Sequence, residues 1–199
     1  MNKIFILSGP SGSGKSTLIK LLTERYDFLD FSISYTTRKK RGNETDSVEY
    51  YFVTREKFRG MIRENSFAEW AEVHGELYGT SLDEINLKST GKKILVLDID
   101  VQGAEIIKNK FPDSILVFIM PPGLGELKKR IEKREKELTS DFKKRIKTAE
   151  KEIKKSDFYD HIIINDDLGE SFTEFEKIFL KYKNKIFNEE KEEIQGAGS

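Results

Sequence analysis

Eight residues near the start of the chain, Gly9-Pro10-Ser11-Gly12-Ser13-Gly14-Lys15-Ser16, limit the folds open to everything after them. They follow Lys3 to Ser8 (KIFILS), an apolar run suited to a strand buried on both faces. They precede Thr17 to Tyr26, which sets Leu18, Leu21 and Leu22 on one face of a helix. The spacing is G-x-x-x-x-G-K-[ST]. Its glycines let the backbone curl until successive N–H groups point at one anion. The helix opening near Lys15 aims its N-terminus at the same point. Lys15 then sets an ammonium on the β- and γ-phosphates of a nucleoside triphosphate, and Ser16 offers a hydroxyl to Mg2+. A Gly/Ser-rich linker shares the composition but lacks the flanking strand and helix.

The alternation continues along the chain. Phe31 to Tyr35 and Glu49 to Val53 read as strands, and Thr54 caps a helix to about Asn65. Ser81 and Glu84 form a capping box that opens a helix to about Ser89. Lys93 to Leu97, Ser114 to Met120 and Ile162 to Ile164 read as further buried strands. Helices are predicted at about Gln102 to Lys110, through the charged stretch after Pro121-Pro122, and from Leu168 to about Phe187. Asn188 to Ser199 reads as a frayed tail. Buried strands alternating with helices predict a parallel sheet covered on both faces. Residues 34–80 and 123–156 break the pattern as excursions, and such sheets bind ligands at the strand ends where excursions begin.

Composition narrows the partners. The chain has 199 residues, with 35 Lys plus Arg against 35 Asp plus Glu, so the net charge is zero. A polyanion-binding protein usually carries a basic surplus, which argues against nucleic acid as partner. There is no Cys and there are two His, His74 and His161, which excludes disulfides and argues against a structural zinc site. No apolar run approaches the roughly 20 residues of a membrane span. The expectation is a cytoplasmic protein without membrane attachment; the sequence carries no signal of oligomeric state. No N-K-x-D-type base-reading loop of a small GTPase occurs.

The segment from Ser34 to Ser81 is dense in anion and base ligands. Arg38-Lys39-Lys40-Arg41 is a run of four cations, and Arg suits bidentate phosphate recognition. The phenol of Tyr50 adds a neutral donor. In Phe67 to His74, alternation sets Phe67, Glu69, Ala71 and Val73 on one face. Glu69 thus sits among apolar neighbours, which is costly without a partner. A carboxylate accepts two parallel hydrogen bonds, and guanine, unlike adenine, offers N1–H and N2–H in parallel. Trp70 reads as core.

The segments SGPSGSGKST, S-x-TTR-x-x-R-x-x-E, VEYYFV, FAEWAEVHGELYGTS, LDIDVQGA and IIINDDL resemble the guanylate kinase family in order and spacing, over about residues 3–185. The resemblance implies an α/β P-loop NTPase fold: a three-layer parallel sheet with helices on both faces, a small GMP-binding insertion and a helical lid. It implies a core of residues 1–33, 84–122 and 157–187, a GMP-binding segment 34–83, a lid 123–156 and a disordered tail 188–199. The implied reaction is ATP + GMP ⇌ ADP + GDP, with dGMP as a further acceptor and Mg2+ accompanying ATP. The family's ATP-binding positions fall on Gly9, Pro10, Ser11, Gly12, Ser13, Gly14, Lys15, Ser16, Thr17, Arg130, Arg134 and Asn165. Its GMP-phosphate positions fall on Arg38, Arg41, Tyr50 and Tyr78, with Glu44 supporting the arginines. Its guanine readers fall on Ser34, Glu69 and Thr80. Asp98 stands near GMP and reaches Mg2+ through water, while Ser16 holds the ion directly. Lys15, Arg38, Asp98, Arg134 and Arg145 form the catalytic set. Two departures stand out: Arg41-Gly42-Asn43-Glu44 replaces the family's R-P-G-E, and Glu135-Lys136-Glu137-Leu138 follows Arg134 where R-G-T-D is common. The alternatives are a silent binding module of the same fold and a kinase for another nucleoside monophosphate.

Overall fold

The structure, a computed structural model, describes residues 3–42, 44–89, 93–134 and 140–196. In chain order, the first half contains β1 (Ile4–Ser8), α1 (Lys15–Arg25), β2 (Leu29–Phe31), β3 (Ser34–Thr36), β4 (Tyr50–Phe52), α2 (Arg55–Arg63), β5 (Phe67–Val73), β6 (Glu76–Ser81) and α3 (Leu82–Ser89). The second half contains β7 (Ile94–Asp98), α4 (Val101–Lys110), β8 (Ile115–Met120), α5 (Leu124–Arg134), α6 (Ser140–Ile153), β9 (His161–Ile164) and α7 (Leu168–Gly196).

Five strands form a parallel sheet in the order β2-β7-β1-β8-β9. The central strand β1 is buried along its whole length, which explains its unbroken apolar run. Its side chains still alternate between two cores. Phe5 and Leu7 pack with Leu18 and Leu22 of α1 and with Phe175 and Phe179 of α7. Ile4 and Ile6 pack with Ile85 of α3 and with Ala104 and Ile107 of α4. Full burial of each such side chain contributes about 1.5–3 kcal/mol. The result is three layers, as the sequence predicts.

A second sheet, in the order β4-β3-β6-β5, carries residues of the first excursion. Its outer face is covered by α2, where Phe58 stacks on Phe67 with ring centroids 4.5 Å apart beside Leu77. Thr54 caps α2 as predicted, accepting a hydrogen bond from the Lys57 N–H at 3.2 Å. The second excursion is a helix pair, α5 and α6, closed over Leu127, Ile131, Ile146 and Ala149.

The structure corrects the sequence reading in several places. The predicted strand Phe31 to Tyr35 divides between the two sheets. The N–H of Ser32 still bonds the Val96 carbonyl at 3.0 Å, but that of Ile33 is taken at 3.1 Å by Glu84 from α3. Glu84 thereby leaves the capping box half made: Ser81 Oγ accepts the Glu84 N–H at 3.3 Å, while the Glu84 carboxylate holds the strand break. The last helix does not end near Phe187. The helix α7 continues to Gly196 through residues 188–195, a stretch rich in Glu, Lys and Gln, which favour helix; the disordered tail expected from residue 188 is thus helical up to that point. Asn43 and residues 135–139, where the sequence departs from the resembled pattern, lie outside the described residues. Among the described residues, no helix is long and apolar enough to cross a membrane.

Candidate active site

The glycine-rich loop leaves the carboxyl end of β1 and enters α1. At Gly14, the residue before the helix, φ is 99°, and a Cβ there would run into the Asn165 carboxamide. Pro10 and Ser13 shape the loop from behind, with the Ser13 N–H on the Pro10 carbonyl at 3.0 Å. The Lys15 ammonium curls over the loop and donates to the Gly9 carbonyl at 2.6 Å. Parallel pairing of β1 with β7 sets Leu7 opposite Asp98, and this register delivers Asp98 to the loop. Ser16 Oγ lies 3.5 Å from Asp98 Oδ2. On the other side, Asn165 is 5% exposed; its amide donates to Ser13 O at 2.7 Å and its backbone carbonyl accepts from Arg130 Nη1 at 3.0 Å. Asn165 thus braces the loop against the root of α5 and lies behind the cleft wall.

Across the cleft, Glu44 and Arg38 form a two-pronged pair, Nη1 to Oε2 at 2.9 Å and Nη2 to Oε1 at 2.8 Å. The same carboxylate takes the Arg41 backbone N–H at 2.7 Å, so one acid organises both arginines. Burial opposes its charge, but the Arg38 side chain and the Arg41 N–H outweigh burial and hold its carboxyl below the usual range. The Arg41 guanidinium is pushed down by burial and by the nearby charges of Arg38 and Arg145. Three guanidinium groups from two excursions therefore converge, an arrangement that favours an anion between them. Arg38 also lies 5.4 Å above the Tyr50 ring, which meets Tyr78 edge-on at 5.9 Å. Burial and the Asp98 charge raise the Tyr50 phenol, so its O–H stays a donor.

The far end is built around Glu69. A bulge between Phe67 and Glu69 pairs Glu69 with Thr80. Thr80 Oγ1 donates to Glu69 Oε1 at 2.6 Å, and Ser34 Oγ lies 3.4 Å from Thr80 Oγ1. The bulge overturns the simple alternation: Phe67 turns to the α2 side, away from Glu69. Trp70, expected in the core, is 43% exposed, because β5 is an edge strand and α2 does not reach it. His74, at φ 52°, sits in the two-residue turn joining β5 to β6. Glu69 is 5% exposed, and burial pushes its carboxyl up to about 7; the Thr80 hydrogen bond opposes this and the Asp100 charge adds to it.

These groups share one cleft of about 1200 Å3. The phosphate loop, Thr17, Arg130 and Asp98 line one end, Glu69 and Ala71 the other, and Arg38, Arg41, Tyr50, Tyr78 and Arg145 also line it. That volume exceeds the roughly 300–1,000 Å3 of a single small-molecule pocket. Arg134 ends α5, but its side chain lies outside the described part of the structure. Among the described residues, no cluster of three His, Cys, Asp or Glu side chains could hold a metal unaided. Ser16 and Asp98 are hard oxygen donors of the kind Mg2+ takes alongside phosphate oxygens and water, so the pair fits that ion.

Sequence reasoning missed Gly103, which packs against Glu69, and the cleft residue Glu152. A Cβ on Gly103 of α4 would stand 2.6 Å from Glu69 Oε2, so α4 docks at this distance only with glycine there. A glycine inside a predicted helix, where it costs about 0.5–1 kcal/mol, is the available signal. Glu152 of α6 carries no signal among so many charged neighbours.

A family model described as guanylate kinase matches residues 1–182. The guanylate kinase of Syntrophotalea carbinolica is 41% identical over 177 residues, 89% of this chain and 84% of that one. That of Koribacter versatilis is 45% identical over 183 residues, 89% of this chain and 77% of that one. The crystal structure of guanylate kinase from Anaplasma phagocytophilum superposes with a TM-score of 0.73 at 29% identity, covering 92% of this chain and 86% of that one.

Proposed function

The chain belongs to the guanylate kinase family, and we propose that it transfers the terminal phosphoryl group of ATP to GMP through the residues gathered in this cleft. The observation that carries the residue assignment is the buried Glu69–Thr80 pair at one end of a cleft whose other end is the glycine-rich loop. A carboxylate there accepts guanine N1–H and N2–H together, with Ser34 and Thr80 completing the base site. Arg38, Arg41, Tyr50 and Tyr78 hold the GMP phosphate, and Glu44 sets the two arginines.

Phosphoryl transfer needs positioning, neutralised charge and the exclusion of water. The GMP phosphate is itself the nucleophile, so no general base is needed. The loop N–H groups, Lys15, Arg134 and Arg145 stabilise the transferring group in line with the acceptor, and Arg130 helps hold ATP. Arg38 and Arg41 lower the repulsion between two anionic substrates. Ser16 would hold Mg2+, with Asp98 reaching it through water, and the ion would supply charge neutralisation at the phosphates of ATP. Residues 34–80 and 123–156 act as covers that close on the core once both substrates are in, keeping water from ATP. The acceptors include dGMP, because none of the assigned residues reads the 2′-hydroxyl. The cytoplasm is the proposed location; its reducing environment gives disulfides no role, which suits a chain without Cys. A silent binding module of this fold would have no use for Lys15 and Ser16.

The test is an ADP-release assay with GMP, dGMP, AMP and UMP as acceptors, and with none. GMP and dGMP should react and AMP and UMP should be poor. ATP alone should turn over very slowly. Equal rates with AMP and GMP overturn the role of Glu69, and rapid hydrolysis of ATP alone overturns the closing covers.

A further inference from the structure

Helix α6 belongs to two bodies. Ile146 and Ala149 pack against α5, whereas Ile153 packs against the core cluster that contains Phe118 and Tyr159. Glu152 lies at this junction and lines the cleft with Lys15, Asp100 and Arg145. Burial pushes its carboxyl up to about 7, Lys15 pulls it back and Asp100 adds to the rise. Among the described residues, none donates a hydrogen bond to its carboxylate. Asp98 and Ser16 already account for the acidic and hydroxyl groups the reaction requires, so Glu152 is a cleft carboxylate without an assigned role.

A buried carboxylate with no hydrogen-bond donor among the described residues, and only the Lys15 charge in its favour, is costly near a phosphate site unless the ligand brings further counter-charge. Free ATP brings only negative charge to this end of the cleft. A metal-loaded triphosphate brings a cation with retained water, and the hydrogens of that water are donors a carboxylate can accept. We propose that Glu152 makes the phosphate site selective for metal-complexed ATP over free ATP, repelling the bare triphosphate and accepting hydrogen bonds from the water carried with the metal. The inference rests on the reading of the cleft as an ATP site. It gives α6 two roles, since the helix that roots the lid also carries the group that senses the charge state of the nucleotide.

The test is calorimetric titration of ATP into the wild type and Glu152→Gln at about pH 8, each in excess Mg2+ and in EDTA. The four dissociation constants form a cycle whose coupling is independent of turnover. In the variant, Mg2+ should raise ATP affinity about tenfold less than in the wild type, a difference of about 1.4 kcal/mol. Most of that change should come from tighter binding of free ATP by the variant. An equal gain from Mg2+ in both proteins overturns the inference and leaves the ATP site standing. Failure of both proteins to bind ATP with Mg2+ overturns the site and the inference together. Glu152→Asp keeps the charge and should keep most of the metal dependence; if Asp and Gln lose it equally, packing rather than charge is responsible and the proposal falls.

Discussion

Replacing Glu69 by Gln should make the protein more stable and a poorer enzyme, and both effects trace to one buried carboxylate. The folded carboxyl is held up to about 7 by burial, against 4.5 ordinarily. Between those values the folded state keeps a proton that the unfolded chain has lost. Stability therefore falls as pH rises from about 4.5 to about 7, and stays at the lower level above it. The gap corresponds to about 3 kcal/mol. Glutamine has nearly the same shape and keeps an oxygen for the Thr80 hydroxyl, now 2.6 Å away, but brings no charge to bury. Without nucleotide at about pH 8, the variant should melt roughly 6–12 °C above the wild type, taking about 2–4 °C per kcal/mol for a chain of this size. At about pH 5 the difference should shrink to under about 1 kcal/mol.

Function moves the opposite way. Glutamine offers one acceptor where guanine needs two, and it turns an amide donor toward a donor. Losing one charged hydrogen bond costs about 1–3 kcal/mol, so kcat/KM for GMP should fall roughly 5- to 150-fold with the KM for ATP little changed. The assays are thermal melts across pH without ligand and ADP-release kinetics with GMP varied. A variant no more stable than the wild type at about pH 8, or one that keeps the wild-type kcat/KM for GMP, refutes the reasoning.

Other substitutions probe the remaining groups. Lys15→Ala should lower kcat at least about 100-fold while the melting temperature stays close to the wild type, since among the described residues the ammonium hydrogen-bonds only loop carbonyls. Gly103→Ala should raise the KM for GMP about tenfold, because its Cβ meets Glu69 Oε2 at 2.6 Å, even though alanine favours the helix by about 0.5–1 kcal/mol; an unchanged KM would show that Glu69 does not need this approach. Arg38→Lys should also raise the KM for GMP about tenfold, because a point charge cannot reproduce the two-pronged pairing with Glu44.

The phosphate loop is legible in the sequence because its chemistry lies in the backbone: glycine spacing between a strand and a helix dictates the curl whatever surrounds it. The apolar runs of β1, β7 and β8 are legible for a similar reason, since burial on both faces leaves no polar position before the strand ends. Glu69 is legible too, but its neighbours are not, because a one-residue bulge reverses which side Phe67 takes and no local residue pattern announces it. The size of Trp70 suggests the core, while its exposure follows from strand order. The break in the run Phe31 to Tyr35 depends on Glu84, far along the chain, capturing the Ile33 N–H. Gly103 depends on the docking of α4 against β5, and Asn165 on its reach back to Ser13. What the sequence hides here is produced by contacts between distant segments.

Glu44 shows why a zero net charge is compatible with a strongly cationic site. Two unit charges about 6 Å apart repel by about 3 kcal/mol at an effective dielectric near 20. Burial does most to push the Arg41 guanidinium down, and such repulsion from Arg38 and Arg145 adds to it. Gathering these groups with no counter-charge would drive them apart and lose the geometry that two-pronged phosphate binding needs. Glu44 offsets the repulsion at its source: its two oxygens fix the plane of the Arg38 fork, and one of them also takes the Arg41 N–H. The acid thus weakens the field of the site while making its shape permanent. For a long polyanion, field strength at distance matters most and such an acid would be a liability. For a small phosphate monoester held at contact distance, shape decides, and an acid inside the cation cluster is the better arrangement.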